Sequence, residues 1–301
     1  MTEPDSVPAI GASVDAVMEA LSRQQYVIER GLATAVYLAL RLDKPLLIEG
    51  EPGCGKTEIA KALSAASGGE LIRLQCYEGL DASAALYEWD YPRQLLEIRL
   101  HERDRTTEQL ETEIYSERFL LRRPLLRALE GSGPVRPVLL IDELDRADEE
   151  FEGLLLEVLS DYQVTIPELG TIRARTVPLV ILTSNRTREL GDAVKRRCLY
   201  AYIGYPSPEK EVDILRRRIP QLPEGFAREI AAFVQRLRGQ EDLAKRPGVA
   251  ETLDWAAALL ALGEGSLHSA PVAETLGLLL KDARDLETYR RERLDSLLAA
   301  P

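Results

Sequence analysis

Apolar positions in the first two thirds of this chain fall into short continuous runs, several of them followed by stretches with helical spacing. Pro45-Leu46-Leu47-Ile48-Glu49 suits a buried strand, and Ile59, Ala60, Ala62, Leu63 and Ala66 then recur at helical intervals up to Gly68-Gly69. Leu71-Ile72-Arg73-Leu74-Gln75 reads as a second strand and Val138-Leu139-Leu140-Ile141 as a third, with residues 177–183 and 199–204 as two more. Phe151, Leu154, Leu155, Val158 and Leu159 form one helical stripe, and residues 13–41 and 189–197 are expected to be helical too. Gln163-Val164-Thr165-Ile166 and Thr171-Ile172-Arg173, separated by a turn from Pro167 to Gly170, predict a β-hairpin near 163–173. Strands alternating with helices predict an α/β domain whose parallel sheet is sandwiched by helices.

Tyr205-Pro206-Ser207-Pro208 breaks this pattern. Beyond it only helical stripes remain, as at Phe226, Ile230, Phe233, Val234 and Leu237, so residues 206–301 are expected to form an all-helical second domain after an α/β domain of residues 1–205. The stretch from Lys56 to Asp142 is longer than one strand, one helix and short turns require. The excess includes Tyr87-Glu88-Trp89-Asp90-Tyr91-Pro92 and a charged helical stretch near 105–130, and it reads as an insertion near 81–120.

Between the first strand and its helix stands Gly50-Glu51-Pro52-Gly53-Cys54-Gly55-Lys56-Thr57, which fits a phosphate-binding loop, with Glu58 following in the helix. Glycines let backbone N–H groups close around phosphate oxygens, and the helix N-terminus adds its dipole. Lys56 is placed to reach the β- and γ-phosphates, and Thr57 to offer its hydroxyl to Mg²⁺. The third strand ends in Asp142-Glu143. Ligands sit at the carboxyl ends of strands in open α/β sheets, and adjacent strand residues point to opposite faces, so the two carboxylates are expected to divide their work. Asp142 is placed to hold Mg²⁺ through its water shell, and Glu143 to activate a water against the γ-phosphate. The pattern implies binding and hydrolysis of a nucleoside triphosphate.

Composition narrows the partners. The 301 residues carry a net charge of −12 with a pI near 4.9, and a protein that grips nucleic acid by its phosphates normally shows the opposite sign. No apolar run approaches the ~20 residues needed to span a bilayer. The acidic start, Met1-Thr2-Glu3-Pro4-Asp5, lacks the basic and apolar regions of a signal peptide. Cys54, Cys76 and Cys198 are too scattered for a disulfide framework or a zinc site. The expected location is a reducing cytoplasm.

With these motifs the chain resembles the AAA+ ATPases among the P-loop NTPases, with the helical domain as their lid. More closely it is similar to the MoxR group and its CoxD-like members of carbon monoxide dehydrogenase maturation. The likeness rests on the phosphate loop, Leu139 to Glu143, the 163–173 hairpin and Thr183-Ser184-Asn185. The closer match rests on Arg73-Leu74-Gln75-Cys76-Tyr77-Glu78-Gly79-Leu80-Asp81, on Tyr87 to Tyr91, on Arg197-Cys198-Leu199-Tyr200 and on Pro247-Gly248-Val249-Ala250-Glu251-Thr252. The resemblance implies that Asn185 helps place the attacking water. It implies that Arg197, or its neighbour Arg196, serves as an arginine finger in a homo-oligomer, usually a hexamer. It further implies ATP and Mg²⁺ as cofactors, a von Willebrand factor A (VWA) domain protein as partner, and chaperone-like remodelling of a client metalloenzyme of the CO dehydrogenase type. Such relatives commonly carry a further arginine at the start of a lid helix; the corresponding Val249-Ala250-Glu251 has none, leaving Lys245 or Arg246 as substitutes. Trp89, Tyr87 and Tyr91 either contact a client or pack the insertion against the core, and Tyr26 and Val27 are candidates for the adenine pocket. A nucleic-acid remodelling ATPase and a nucleotide-gated scaffold with little hydrolysis are the alternative functions.

Overall fold

In a computed structural model that describes residues 10–101, 105–131, 133 and 135–299, nine strands are present among the described residues. They are β1 (Leu46–Gly50), β2 (Leu71–Gln75), β3 (Tyr87–Trp89), β4 (Leu120–Arg122), β5 (Val138–Asp142), β6 (Gln163–Ile166), β7 (Gly170–Arg173), β8 (Leu179–Ser184) and β9 (Leu199–Ile203). Five of them form a sheet in the order β2-β5-β8-β1-β9. β2, β5, β8 and β1 pair in parallel, so the carboxyl ends of these four strands lie along one edge. Every residue of β1, β5 and β8 is buried, as expected of strands covered on both faces. Helices Lys56–Ser67, Pro124–Glu130 and Glu149–Asp161 flank the sheet in sequence. Leu125, Leu129, Phe151, Leu155 and Val158 join Leu139, Ile141, Val180 and Leu182 in one core.

Several elements depart from the sequence expectation. The helical stretch at 13–41 is two helices, Val14–Arg23 and Arg30–Leu42, because Gln25 turns left-handed and the Tyr26 amide bonds back to Leu21. β8 starts at Leu179, after Pro178, which has no N–H to give a ladder. The expected helix at 189–197 is only Asp192–Lys195. The charged stretch near 105–130 is not one helix: Thr107–Ile114 and Pro124–Glu130 are separated by β4, which pairs antiparallel with β3. β6 and β7 pair antiparallel from Gln163↔Arg173 to Ile166↔Gly170.

Contacts divide the chain into two units. One holds residues 10–20, Glu29–Glu49 and Ile59–Tyr202; the other holds Leu21–Ile28, Gly50–Glu58 and the chain from Ile203 onward. The sequence places the phosphate loop in residues 1–205, whereas by its contacts the loop goes with the helical unit. That unit packs Pro208–Arg218, Glu224–Arg238 and Val249–Ala261 around Phe226, Phe233, Trp255 and Leu259. Inside it lies an ion pair between Arg238 and Glu211, whose side chains are 5% and 0% exposed. Arg238 Nη1 and Nη2 donate to the two Glu211 oxygens at 2.7 and 2.8 Å, and Nε donates to the Pro247 carbonyl at 2.8 Å. Thr252 and Gln235 also donate to Glu211. Every charged atom therefore has a partner, the condition under which a buried pair is tolerated.

In the sheet unit, Asp145 fixes the turn that follows β8. Its carboxylate accepts from the Asn185 amide at 3.1 Å and from the Thr187 amide and hydroxyl at 2.9 and 2.6 Å. Burial pushes the Asp145 carboxyl up, but these hydrogen bonds outweigh it and the net direction is down.

Two stability outcomes follow. Arg238→Met leaves Glu211 buried without its counter-charge and should cost about 3–5 kcal/mol in chemical denaturation, with Glu211→Met in the same chain recovering much of the loss. Asp145→Asn should cost about 1–3 kcal/mol near neutral pH. Because the folded carboxyl titrates below its unfolded value, wild type holds this advantage above about pH 4. The gap between wild type and Asp145→Asn should narrow as pH falls through the depressed folded value, as denaturation curves at pH 7, 5 and 3 will show.

Candidate functional site

The phosphate loop leaves the carboxyl end of β1 and runs into helix Lys56–Ser67. Gly50 opens it because no other residue fits: a Cβ there would lie 1.9 Å from the Ile203 carbonyl oxygen. Lys56 is only 6% exposed, and its ammonium donates to the Gly50 and Glu51 carbonyls at 2.8 and 2.7 Å. The lysine is thus folded onto the loop's own acceptors, within reach of whatever the loop encloses. Glu51, Pro52 and Gly53 are exposed, while Cys54, Gly55, Thr57 and Glu58 are half-buried. Glu58 pairs with Arg218 at 3.3 Å, and the Tyr26 hydroxyl donates to the Gly55 carbonyl at 3.4 Å. Burial is the main reason the Cys54 thiol is pushed up to about 11, against the pull of Lys56 and Arg238, so it stays protonated and inert.

The loop's middle touches the start of helix Val249–Ala261. The Val249 amide donates to the Gly53 carbonyl at 2.9 Å, and a Cβ on Gly53 (φ +74) would meet the Gly248 Cα at 2.9 Å. Two glycines facing each other make this approach possible. Glu251 caps the helix by accepting from the Gly248 amide at 3.0 Å. The cationic role expected near here is not filled by residues 249–251. Arg238, which no sequence pattern singles out, acts electrostatically on Cys54 and stacks on Tyr205 at 4.8 Å; its donors, however, hold Glu211 and the Pro247 carbonyl.

In the sheet unit the strand ends gather the carboxylates. Asp142 is 2% exposed; Thr183 donates to its Oδ1 at 2.6 Å and Arg73 to its Oδ2 at 2.5 Å. Glu143 does not continue the strand. It takes a left-handed conformation (φ +56), and this backbone turn, rather than strand alternation, parts it from Asp142. The Thr183 hydroxyl also accepts from the Glu143 amide at 2.9 Å. Glu143 is half-buried, with Oε2 accepting from Gln75 and Arg146 at 3.0 Å each and Oε1 from Asn185 Nδ2 at 3.4 Å. Asp142, Glu143 and Asn185 are therefore brought together. Thr183, Asp145, Arg73 and Gln75 complete the cluster. Sequence reading assigns none of these four a role, although Arg73 and Gln75 alternate on one face of β2 opposite Asp142.

Arg197 is half-buried and engaged locally: Nη1 donates to the Ala193 carbonyl at 2.8 Å and Nε to the Ser160 hydroxyl. Arg196 beside it is exposed. In the insertion, Trp89 is buried against Tyr87 and Tyr115 in edge-on contacts at 6.3 and 5.4 Å, so its role is packing. Tyr91 is exposed, as are Leu95, Leu96 and Leu100 along helix Tyr91–His101.

A magnesium ion bound with a nucleotide takes few protein ligands, commonly one or two carboxylates besides phosphate and water. Among the described residues no group of three or more His, Cys, Asp or Glu could hold a metal by itself. Asp142, in the sheet unit, and the Thr57 hydroxyl, in the unit of the phosphate loop, are each hard oxygen donors of the kind magnesium prefers, and each by its own chemistry suits an ion that also takes phosphate oxygens.

A sequence profile of the AAA domain (dynein-related subfamily) matches residues 45–198. An uncharacterized protein of Staphylococcus haemolyticus is 28% identical over 205 residues, which is 65% of this chain and 69% of that protein. The mitochondrial Lon protease homolog of Phaeodactylum tricornutum is 28% identical over 56% of this chain and 17% of its own length. The peroxisomal Lon protease homolog 2 of Arabidopsis thaliana is 28% identical over 62% of this chain and 20% of its own length. The chain thus spans about a fifth of each Lon relative. Among solved structures, a point mutant of Thermotoga maritima RuvB superimposes with a TM-score of 0.48 at 16% identity, over 95% of this chain and 82% of that one. The profile covers the phosphate loop, both carboxylates and the turn after β8, more than half of the chain, and this protein belongs to the AAA domain family, dynein-related subfamily.

Proposed function

We propose that this protein is a MoxR-type AAA+ ATPase that hydrolyses ATP with magnesium. The observation that carries the reading is the cluster at the carboxyl ends of β5 and β8. A buried Asp142 is held by Thr183, and beside it Glu143 is aligned by Asn185, just past the end of the adjacent strand. Such an arrangement serves proton removal from a water: a carboxylate to take the proton and a neutral amide to orient the oxygen without adding charge. Lys56 turns from the Gly50 and Glu51 carbonyls to the β- and γ-phosphate oxygens, and the N–H groups opening helix Lys56–Ser67 complete the cradle. Asp142 and Thr57 would hold the metal, which when bound would supply positive charge to the transferring phosphoryl oxygens. Lys245 or Arg246, just ahead of the helix start that touches the loop, supplies the lid cation missing at 249–251.

Arg197, or the more exposed Arg196, completes the site of a neighbouring copy in a homo-oligomeric ring of six. The ring acts as a chaperone-like maturation factor on a client metalloenzyme of the CO dehydrogenase type, together with a VWA-domain protein. The exposed Tyr91, Leu95, Leu96 and Leu100 on the insertion and the β6–β7 hairpin support this reading, since exposed apolar side chains grouped on one element suit contact with another protein. The acidic balance of the chain weighs against nucleic acid as the substrate.

Steady-state and binding measurements test the assignment. Glu143→Gln should keep ATP affinity and lose about 10²–10⁴ in turnover. Lys56→Ala should lower ATP affinity itself, by about ten- to a hundredfold. If the finger acts between copies, activity per subunit rises with protein concentration, and Arg197→Ala abolishes that rise while single-copy nucleotide binding persists. Full activity in Glu143→Gln would remove the general base from this reading.

A further inference from the structure

The Arg73-Leu74-Gln75 segment helps to mark this sequence as distinctive, yet the hydrolysis just described gives it no task. Arg73 and Gln75 sit two residues apart on β2, so both side chains leave the same face, and the register sets Gln75 directly across from Asp142. One guanidinium nitrogen, Arg73 Nη2, lies 2.5 Å from Asp142 Oδ2 and 2.5 Å from Gln75 Oε1. That second contact points the Gln75 carbonyl at the arginine and its NH₂ at Glu143, 3.0 Å from Oε2. Asp142, Arg73, Gln75, Glu143 and Asn185 thus form one unbroken chain of hydrogen bonds.

The two ends of the Arg73–Asp142 pair differ in freedom. Asp142 is 2% exposed and pinned from the other side by Thr183, while the Arg73 side chain is 49% exposed. A buried carboxylate needs a counter-charge, and a half-exposed arginine can supply it or swing out to water at small cost. A hydrated divalent cation offers the same oxygen a larger charge, and two cations crowded on one carboxylate repel each other.

Resting on the ATPase reading above, we propose that Arg73 is a resident counter-ion that competes with the divalent cation for Asp142. Arg73 neutralises Asp142 until the metal–nucleotide complex arrives, then releases it.

The test is Mn²⁺ binding, followed by the loss of the free-ion electron paramagnetic resonance signal, with a non-hydrolysable ATP analogue saturating the full-length protein. Removing the competitor in Arg73→Met should tighten Mn²⁺ about three- to tenfold. Arg73→Lys, which keeps the charge, should stay near wild type. Analogue affinity measured in EDTA should be the same in all three proteins. Unchanged or weaker Mn²⁺ binding in Arg73→Met overturns the proposal. So does a drop in its analogue affinity in EDTA, which would make Arg73 a phosphate ligand. Should Arg73→Met fail to fold, Arg73→Gln carries the same expectation and the same refutation. Failure of wild type to bind the analogue at all would instead sink the ATPase reading, and the proposal with it.

Discussion

A carboxylate that the sheet buries must be answered by the side chains around it, and at Asp142 this requirement shapes most of what surrounds the strand ends. β5 runs between β2 and β8 with no exposed residue, so its last side chain emerges where neither water nor a loop can neutralise it. Thr183 answers from β8 and Arg73 from β2, one on each side. The same threonine takes the Glu143 amide, which fixes the sharp backbone turn after the strand. Asp145, a few residues on, repeats the pattern by binding the turn that carries Asn185. A small set of obligatory hydrogen bonds thereby sets the relative positions of Asp142, Glu143 and Asn185, with no loop left to chance.

Much of this was legible in the sequence. The buried strands announced themselves as continuous apolar runs, and the order Gly50 to Thr57 between strand and helix could be read as a loop without knowing what packs around it. What sequence could not supply is pairing across distance. β3 and β4 are three residues each and about thirty residues apart, too short to show a period, so their ribbon was hidden inside a charged stretch. Arg73 and Gln75 share one face of a strand, but alternation says which residues share a face and not what they meet. Arg238 and Glu211 were equally silent: each is a charged residue in a helix rich in charge, and only tertiary packing turns them into a sealed pair. The parting of Glu143 from Asp142 is expected from strand alternation but comes from a backbone turn, since nothing local announces a left-handed residue at the end of a strand.

The charge arrangement of the two halves also differs in kind. In the helical unit the buried Arg238–Glu211 pair is closed, with every donor and acceptor committed, and it acts as a fixed brace beneath the turn at Pro247. In the sheet unit the Arg73–Asp142 pair is open on one side, since its arginine is half in water. Buried pairs of the first sort hold a shape; pairs of the second sort can be exchanged for another cation at modest cost.

The close meeting of Gly53 with Gly248 bears on how such a chain can be dissected. The residues that spell out the phosphate loop lie early in the sequence, but the backbone they lean on lies nearly two hundred residues later. Motif and scaffold are therefore not the same piece of polypeptide. A fragment cut at the Tyr205-Pro206 boundary would contain every letter of the nucleotide signature and lack the surface that holds the loop's shape. In this molecule the shape of the Gly50–Thr57 loop depends on the chain around Gly248, which the segment that a motif search would excise leaves out.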